Sequence, residues 1–185
     1  GISVADLAAE LGLNHPSLYA AFGPKAALYR EALDWAETRW AKDARRVLAT
    51  RGVVRAVGAL LERQVEVFVE QKGCMLSDAM QTHARDHALE ARHARRLRNA
   101  MISVVKERLE EAVCDGELDR SRDVRLLATY LVTQVHGLSV LARDGAELAM
   151  LKSVAGIALN GFALSAGLDV SDPKVQPLFR AGLAA

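Results

Sequence analysis

Ser3-Val-Ala-Asp-Leu-Ala-Ala-Glu-Leu-Gly-Leu-Asn-His-Pro-Ser-Leu-Tyr-Ala-Ala-Phe-Gly-Pro-Lys25 is the stretch that decides the fold of this chain. Ser3 is a strong helix N-cap, because its hydroxyl can accept from a first-turn N–H that has no partner inside the helix. Asp6 sits three residues on, where an acidic side chain can reach back to the cap's own N–H, and Ile2 and Leu7 have the spacing of a hydrophobic staple. Val4, Leu7, Ala8 and Leu11 recur at helical spacing and predict one buried face. Gly12 then ends the helix, since a residue without Cβ enters left-handed backbone at little steric cost. Asn14 caps a second helix, in whose first turn Pro16 is tolerated. Leu18 and Phe22 lie one turn apart and are expected to pin this helix on the first, leaving His15, Pro16, Ser17, Tyr19 and Ala20 outward. Gly23-Pro24 opens a third helix. Two short helices about a tight turn, braced by a third, form the layout that places its second helix in the major groove of DNA.

Outward from that segment the chain reads as all-α. Pro24 opens a long helical pattern past Trp40, with Leu28, Ala32, Trp35 and Arg39 along one side. Gly52 precedes a helix over 53–70, where Val57, Leu60, Leu61, Val65 and Phe68 recur. Further helices are expected over 76–92, 97–114, 124–142 and 147–166, punctuated by Lys72-Gly73-Cys74, Asp115-Gly116, Asp144-Gly145 and Gly167. No alternating apolar and polar run predicts a sheet. The division expected is a small helix-turn-helix unit with its linking helix, residues 1–44, and a regulatory bundle, residues 45–185, under the packing rules of helical domains.

Composition narrows the classes. The 185 residues and 20.0 kDa suffice for one sizeable domain plus a small one. Hydrophobic residues are 51% and charged residues 25%, a globular and not a disordered balance. A net charge of +1 gives no global pull toward nucleic acid or anionic lipid. Cys74 and Cys114 make no disulfide scaffold and nothing resembles a signal peptide, so a cytoplasmic location is expected. The apolar run from Leu148 to Leu168 is interrupted by Lys152, Ser153 and Asn160, which argues against a membrane span.

The run Leu18-Tyr19-x-x-Phe22-x-x-Lys25-x-x-Leu28, with Ser3, Ala8, Gly12 and Leu13, resembles the N-terminal DNA-binding domain of the TetR family of bacterial transcriptional regulators. The resemblance implies an operator of double-stranded DNA, a homodimer and a small-molecule effector held in the helical bundle. It implies phosphate contacts from Ser3, Tyr19 and Lys25, and base-edge contacts from His15, Pro16, Ser17 and Ala20, with Asn14 opening the same helix. Two positions depart from the family pattern: Pro16 stands where Gly is frequent, and Ala21 where His is common. Members of the family carry a longer, basic first helix ahead of the position of Ser3, so the natural protein is expected to extend further N-terminally.

In the bundle, candidate effector contacts are Phe68, Met80, Met101, Val105, Tyr130, Gln134 and His136, with Met75 alongside, because ligand pockets are mostly apolar with a few placed polar groups. Core packing is the simpler reading of each of these residues, since methionine at helical spacing usually fills gaps. The last two helices interleave small residues with Leu127, Leu131, Gly137, Leu138, Leu159 and Phe162, and a helix apolar most of the way round buries more than one face. These six are the expected dimer contacts, since two recognition helices on one duplex imply a two-fold dimer. His83 and His87 fall one turn apart, a spacing able to hold a transition metal, and Cys74 beside Gly73 is a candidate oxidant or electrophile sensor. A solvated arginine-rich face and an ordinary buried thiol are the simpler readings of those two features. No nucleophile motif, phosphate loop or complete metal-ligand set points to an enzyme, and no cofactor is implied. A helical interaction module, or a regulator responding to metal or redox state without an organic ligand, is the alternative left open.

Overall fold

Side-chain caps define the first two helices. In the computed structural model, which describes residues 3–81 and 88–168 (side chains of 15, 80, 81 and 88–90 excepted), α1 spans Val4–Glu10 and α2 spans His15–Phe22. Ser3 Oγ accepts from the Asp6 backbone N–H at 3.0 Å while an Asp6 carboxylate oxygen accepts from Ser3 N–H at 3.0 Å, the reciprocal box expected at this start. Asn14 Oδ1 accepts from Ser17 N–H at 2.8 Å and does the same for α2. Gly12 takes a φ of 64° between them, which lets the Gly12 and Leu13 N–H groups turn back to the carbonyls of Ala9 and Ala8. Ala8 and Leu18, at 3% and 2% exposure, are the buried apolar side chains of this pair. Phe22 does not share the role: it closes α2 at the Gly23 turn and stays 37% exposed, so Leu18 does the pinning.

The third helix, α3 (Lys25–Leu48), belongs to both parts of the molecule. It meets α2 near its start, while Leu33, Trp40, Ala41, Ala44 and Leu48 enter the main core. The boundary expected at residue 44 therefore falls inside one uninterrupted helix. The stripe read from Leu28 and Ala32 through Trp35 and Arg39 divides: the first two are half-buried, but Trp35 is 61% exposed with the Arg39 guanidinium stacked over its ring. At about 100° per residue Trp35 lies roughly 200° round the helix from Leu33, so the face that buries Leu33 turns Trp35 to solvent.

The bundle is completed by α4 (Val53–Gln71), α5 (Met75–Gln81), α6 (Ala88–Cys114), α7 (Val124–Arg143) and α8 (Leu148–Ser165). Among the described residues no strand occurs. The interruption expected between residues 92 and 97 is not there, because nothing in Arg92–Leu97 breaks a helix and Ala94 and Leu97 continue one buried face. The core lies around α4, which packs against α3, α6, α7 and α8. The buried polar side chain of α4, Gln64, accepts the Trp40 indole N–H at 3.0 Å and so locks α3 on α4. Glu117 Oε2 accepts Val53 N–H at 2.7 Å and an Arg108 guanidinium N–H at 3.2 Å, while Arg108 Nε donates to the Leu48 carbonyl at 3.0 Å. That network gathers the end of α3, the start of α4 and the end of α6. By length and mean hydropathy, 1.2 for α7 and 1.4 for α8, both helices are long and apolar enough to cross a membrane, so the polar interruptions in α8 do not exclude a span. What the bundle shows is that both pack on each other and on α4, with Leu131, Val135, Leu151 and Phe162 buried among them.

His136 of α7 meets α5 through Ser77, whose hydroxyl lies 2.9 Å from its Nδ1. Nε2 is buried with no hydrogen-bond partner among the described residues. Burial, aided by the nearby Arg98 charge, pushes its pKa down from 6.5 to about 4.

Two outcomes are expected. Trp40→Phe leaves the Gln64 carbonyl oxygen buried without a donor and costs about 1–3 kcal/mol in urea unfolding, and adding Gln64→Leu recovers part of that loss. Because the folded protein resists protonating His136 while the unfolded chain accepts the proton near pH 6.5, stability is full above pH 6.5 and falls by about 3 kcal/mol as pH drops to about 4. Melts across that window should show a shallower decline for His136→Gln than for the parent.

Candidate nucleic-acid interface

The helix-turn-helix segment presents most of α2 to solvent. Pro16, Ser17, Tyr19 and Ala20 are exposed, Leu18 is buried, and the His15 side chain lies outside the described residues. Lys25 is the first residue of α3 and is exposed, just past the Gly23-Pro24 corner that turns the chain out of α2. Its charge reaches Asp6, whose carboxyl is held below its usual range chiefly by the hydrogen bonds with Ser3 and to a lesser degree by Lys25. Tyr19, Ser17, Ala20 and Lys25 are thus all carried outward by α2 and the beginning of α3.

Two of the other assigned contacts have competing duties. The Ser3 hydroxyl donates to the Asp6 carboxylate at 2.5 Å and accepts from its backbone, so both polar functions are spent in the cap, next to an anion that would repel a phosphate. Asn14 uses its amide oxygen as a cap, which leaves its NH₂ as the group able to donate. Lys25 and Arg30 stand against Asp6 and Glu10, so residues 3–30 carry no positive excess. The grip on a phosphate backbone would come from placed donors more than from a broad field.

In the bundle the seven residues picked for an effector are spread through the packing. Phe68, Met101 and Val105 are buried core side chains. The Tyr130 hydroxyl donates to the Ala158 carbonyl at 3.2 Å, Gln134 is half-buried, His136 meets Ser77, and the Met80 side chain lies outside the described residues. Of the seven, Phe68 borders an opening: a cleft of about 590 Å³ between α3, α4 and the start of α5, lined also by Trp40, Gln64, Cys74 and Met75, while a smaller cavity of about 440 Å³ lies between α4 and α8. Trp35, Trp40 and Gln64 are not among the effector contacts expected from sequence, because helical periodicity alone does not say which faces of α3 and α4 border an opening. His83 and His87 lie outside the described residues. Among the described residues no group of three His, Cys, Asp or Glu side chains is placed to hold a metal ion.

The expected dimer contacts need correction. Leu127, Leu131, Leu138, Leu159 and Phe162 are 5%, 0%, 1%, 3% and 0% exposed within a single chain, so they build the protomer's own core and are not available to a second copy. Gly137 is exposed. The large apolar side chains that α7 and α8 turn outward are Leu126, Leu141, Leu148, Met150, Ile157 and Leu164. Helices apolar on two faces give no sequence signal for which face meets α4, and the apolar groups chosen were those that do.

Comparison with known proteins places this arrangement. No family model matches the chain. Two curated relatives from Escherichia coli K12, the HTH-type transcriptional repressors ComR and BdcR, are 29% and 27% identical to it, each aligned over 85% of this chain and 77% of the relative. A cysteine mutant of the TetR family transcriptional regulator CifR, complexed with 26 bp double-strand operator DNA, is 32% identical over 86% of both chains with a TM-score of 0.79. A TetR transcriptional regulator from Rhodococcus sp. RHA1 is 35% identical over 88% of both chains with a TM-score of 0.61. With a capped helix-turn-helix joined through α3 to an all-helical bundle, and this degree of identity over most of its length, the chain belongs to the TetR family of transcriptional regulators.

Proposed function

We propose that this protein is a transcriptional repressor that binds a two-fold symmetric DNA operator as a homodimer and leaves it when a small molecule occupies the bundle. The observation that carries the reading is the exposed Ser17–Tyr19–Ala20 surface of α2, held on a capped turn and followed at once by Lys25, in a chain that matches an operator-bound regulator over most of its length. Tyr19 and Lys25 are the phosphate anchors. Ser17, Ala20 and Pro16 face base edges, and the NH₂ of Asn14 is a further donor. Ser3 acts mainly as the helix cap.

Two α2 helices reach successive major grooves only if a dimer holds them about 34–36 Å apart or a further turn away. The outward apolar residues of α7 and α8, Leu126, Met150, Ile157 and Leu164 foremost, are the surface assigned to that pairing. Pairing of two copies would cover these apolar faces. The small molecule acts through α3, which runs from Lys25 beside α2 into the core at Leu48. It releases DNA only to the extent that it binds the non-binding geometry more tightly than the other. A protein with this duty works in the cytoplasm, and regulation rather than catalysis is its activity.

Selection from random-sequence DNA should recover an inverted repeat. In gel-shift titrations on that repeat, Lys25→Ala and Tyr19→Ala should each weaken binding by roughly tenfold on every sequence and flatten its salt dependence, while Ser17→Ala should alter base preference. Unchanged affinity and salt slope for Lys25→Ala would remove it from the interface. Light scattering should give a dimer near twice 20.0 kDa that Ile157→Asp dissociates.

A further inference from the structure

The cleft between α3, α4 and the start of α5 is chemically specific. Its floor is aromatic and aliphatic, from Trp40, Phe68 and Leu76, all buried. Trp35 forms an exposed wall, with the Arg39 guanidinium 4.7 Å from the ring centroid. Charge around the rim is one-sided: Arg39, Lys42, Arg46 and Arg63 line the cleft against the single carboxylate of Asp43. That carboxylate is already shared between Arg46 Nη2 at 2.6 Å and Arg63 Nε at 3.0 Å. Burial would raise its pKa, but the hydrogen bonds from Arg46 and Arg63 outweigh burial and keep Asp43 below the usual carboxylate range. Arg63 is matched by a second carboxylate, Glu66, whose Oε2 accepts from Arg63 Nη1 at 3.3 Å, so the Arg46 and Arg63 guanidiniums are balanced and the positive excess at the rim comes from Arg39 and Lys42. Gln64 at the floor accepts from Trp40 through its oxygen, so its remaining polar group there is a donor.

We infer that this cleft binds an aromatic carboxylate, a flat anion of one or two fused rings. Offset stacking on the exposed Trp35 ring, over an apolar floor, rewards a planar ring, and the Arg39 guanidinium beside that ring takes a carboxylate with charge-assisted geometry. A cavity of about 590 Å³ is in the range that holds such a molecule. An organic cation meets the unbalanced charges of Arg39 and Lys42, and a neutral ring forgoes the charged contact. The further consequence, that this anion is the effector, rests on the repressor reading above: Trp35, Arg39 and Trp40 lie on the helix that begins against α2, so filling the cleft biases the tilt of α3.

Trp35 and Trp40 are the only two tryptophans in the sequence and both line the cleft, so intrinsic emission reports on it without a label. Titration with 2-naphthoate should quench saturably with a Kd of about 100 µM or tighter, and neutral 2-naphthamide should bind at least about tenfold more weakly. Arg39→Gln with Lys42→Gln, both at exposed positions, should raise the naphthoate Kd about tenfold by calorimetry and leave that of the amide unchanged. Absence of saturable quenching, equal affinity for acid and amide, or naphthoate binding unmoved in the double variant overturns the assignment. None of these measurements contains DNA, so they decide the cleft even where the DNA-binding reading fails.

Discussion

The hydrogen bond from the Trp40 indole to buried Gln64 fixes the register of α3 on α4, and the rest of the structure depends on that register. A buried amide without its donor is expensive, whereas hydrophobic contacts between two helices tolerate sliding. The bond therefore selects one azimuth for α3 among several apolar ones. That azimuth sends Leu33, Ala41, Ala44 and Leu48 inward and leaves Trp35 and Arg39 at the surface. The cleft exists because of this choice. So does the direction in which α3 leaves the bundle to meet the DNA-reading helices.

The two ends of α3 are held very differently. Around Trp40 the helix is surrounded by α4, α5 and α6, and the Arg108–Glu117 network secures its far end. Around Lys25 it meets the short α2, whose buried apolar content is Leu18, and α1 adds Ala8. A rigid lever anchored at one end and lightly packed at the other is suited to transmitting a small tilt. Helix axes shift by discrete repacking, and the end with fewer buried contacts moves at lower cost. Charge follows the same division: the reading head carries no positive excess, while the cationic rim sits on the bundle around Asp43.

Much of the helix-turn-helix was legible because its signals are local. Ser3 with Asp6, Gly12 and Asn14 act within four residues of themselves, and each is found doing what its spacing implies. Helix ends marked by Gly73, Gly116, Gly145 and Gly167 were read for the same reason, since each takes a positive φ there. The bundle's interior was less legible. Leu127, Leu131 and Phe162 announce burial but not which partner buries them, and Met101 and Val105 look alike as core or as ligand contacts until α4 and α7 are in place. Phe22 had the right spacing and the wrong exposure, because its position at the end of a helix matters more than its period.

What the sequence by itself determined is whatever depends on neighbours within a turn or two: the helices, their caps, the tight corner at Gly12, and the outward set on α2. Backbone hydrogen bonding and glycine's conformational freedom settle these before any long-range contact forms. What only the tertiary structure decided is which apolar face of each long helix is interior, and hence where solvent-facing apolar surface and the cationic cleft remain. Those outcomes are set by how helices pack against one another across tens of residues. Apolar side chains attract without direction, and the choice among their faces falls to the few groups, such as Trp40 and Gln64, whose bonds have one.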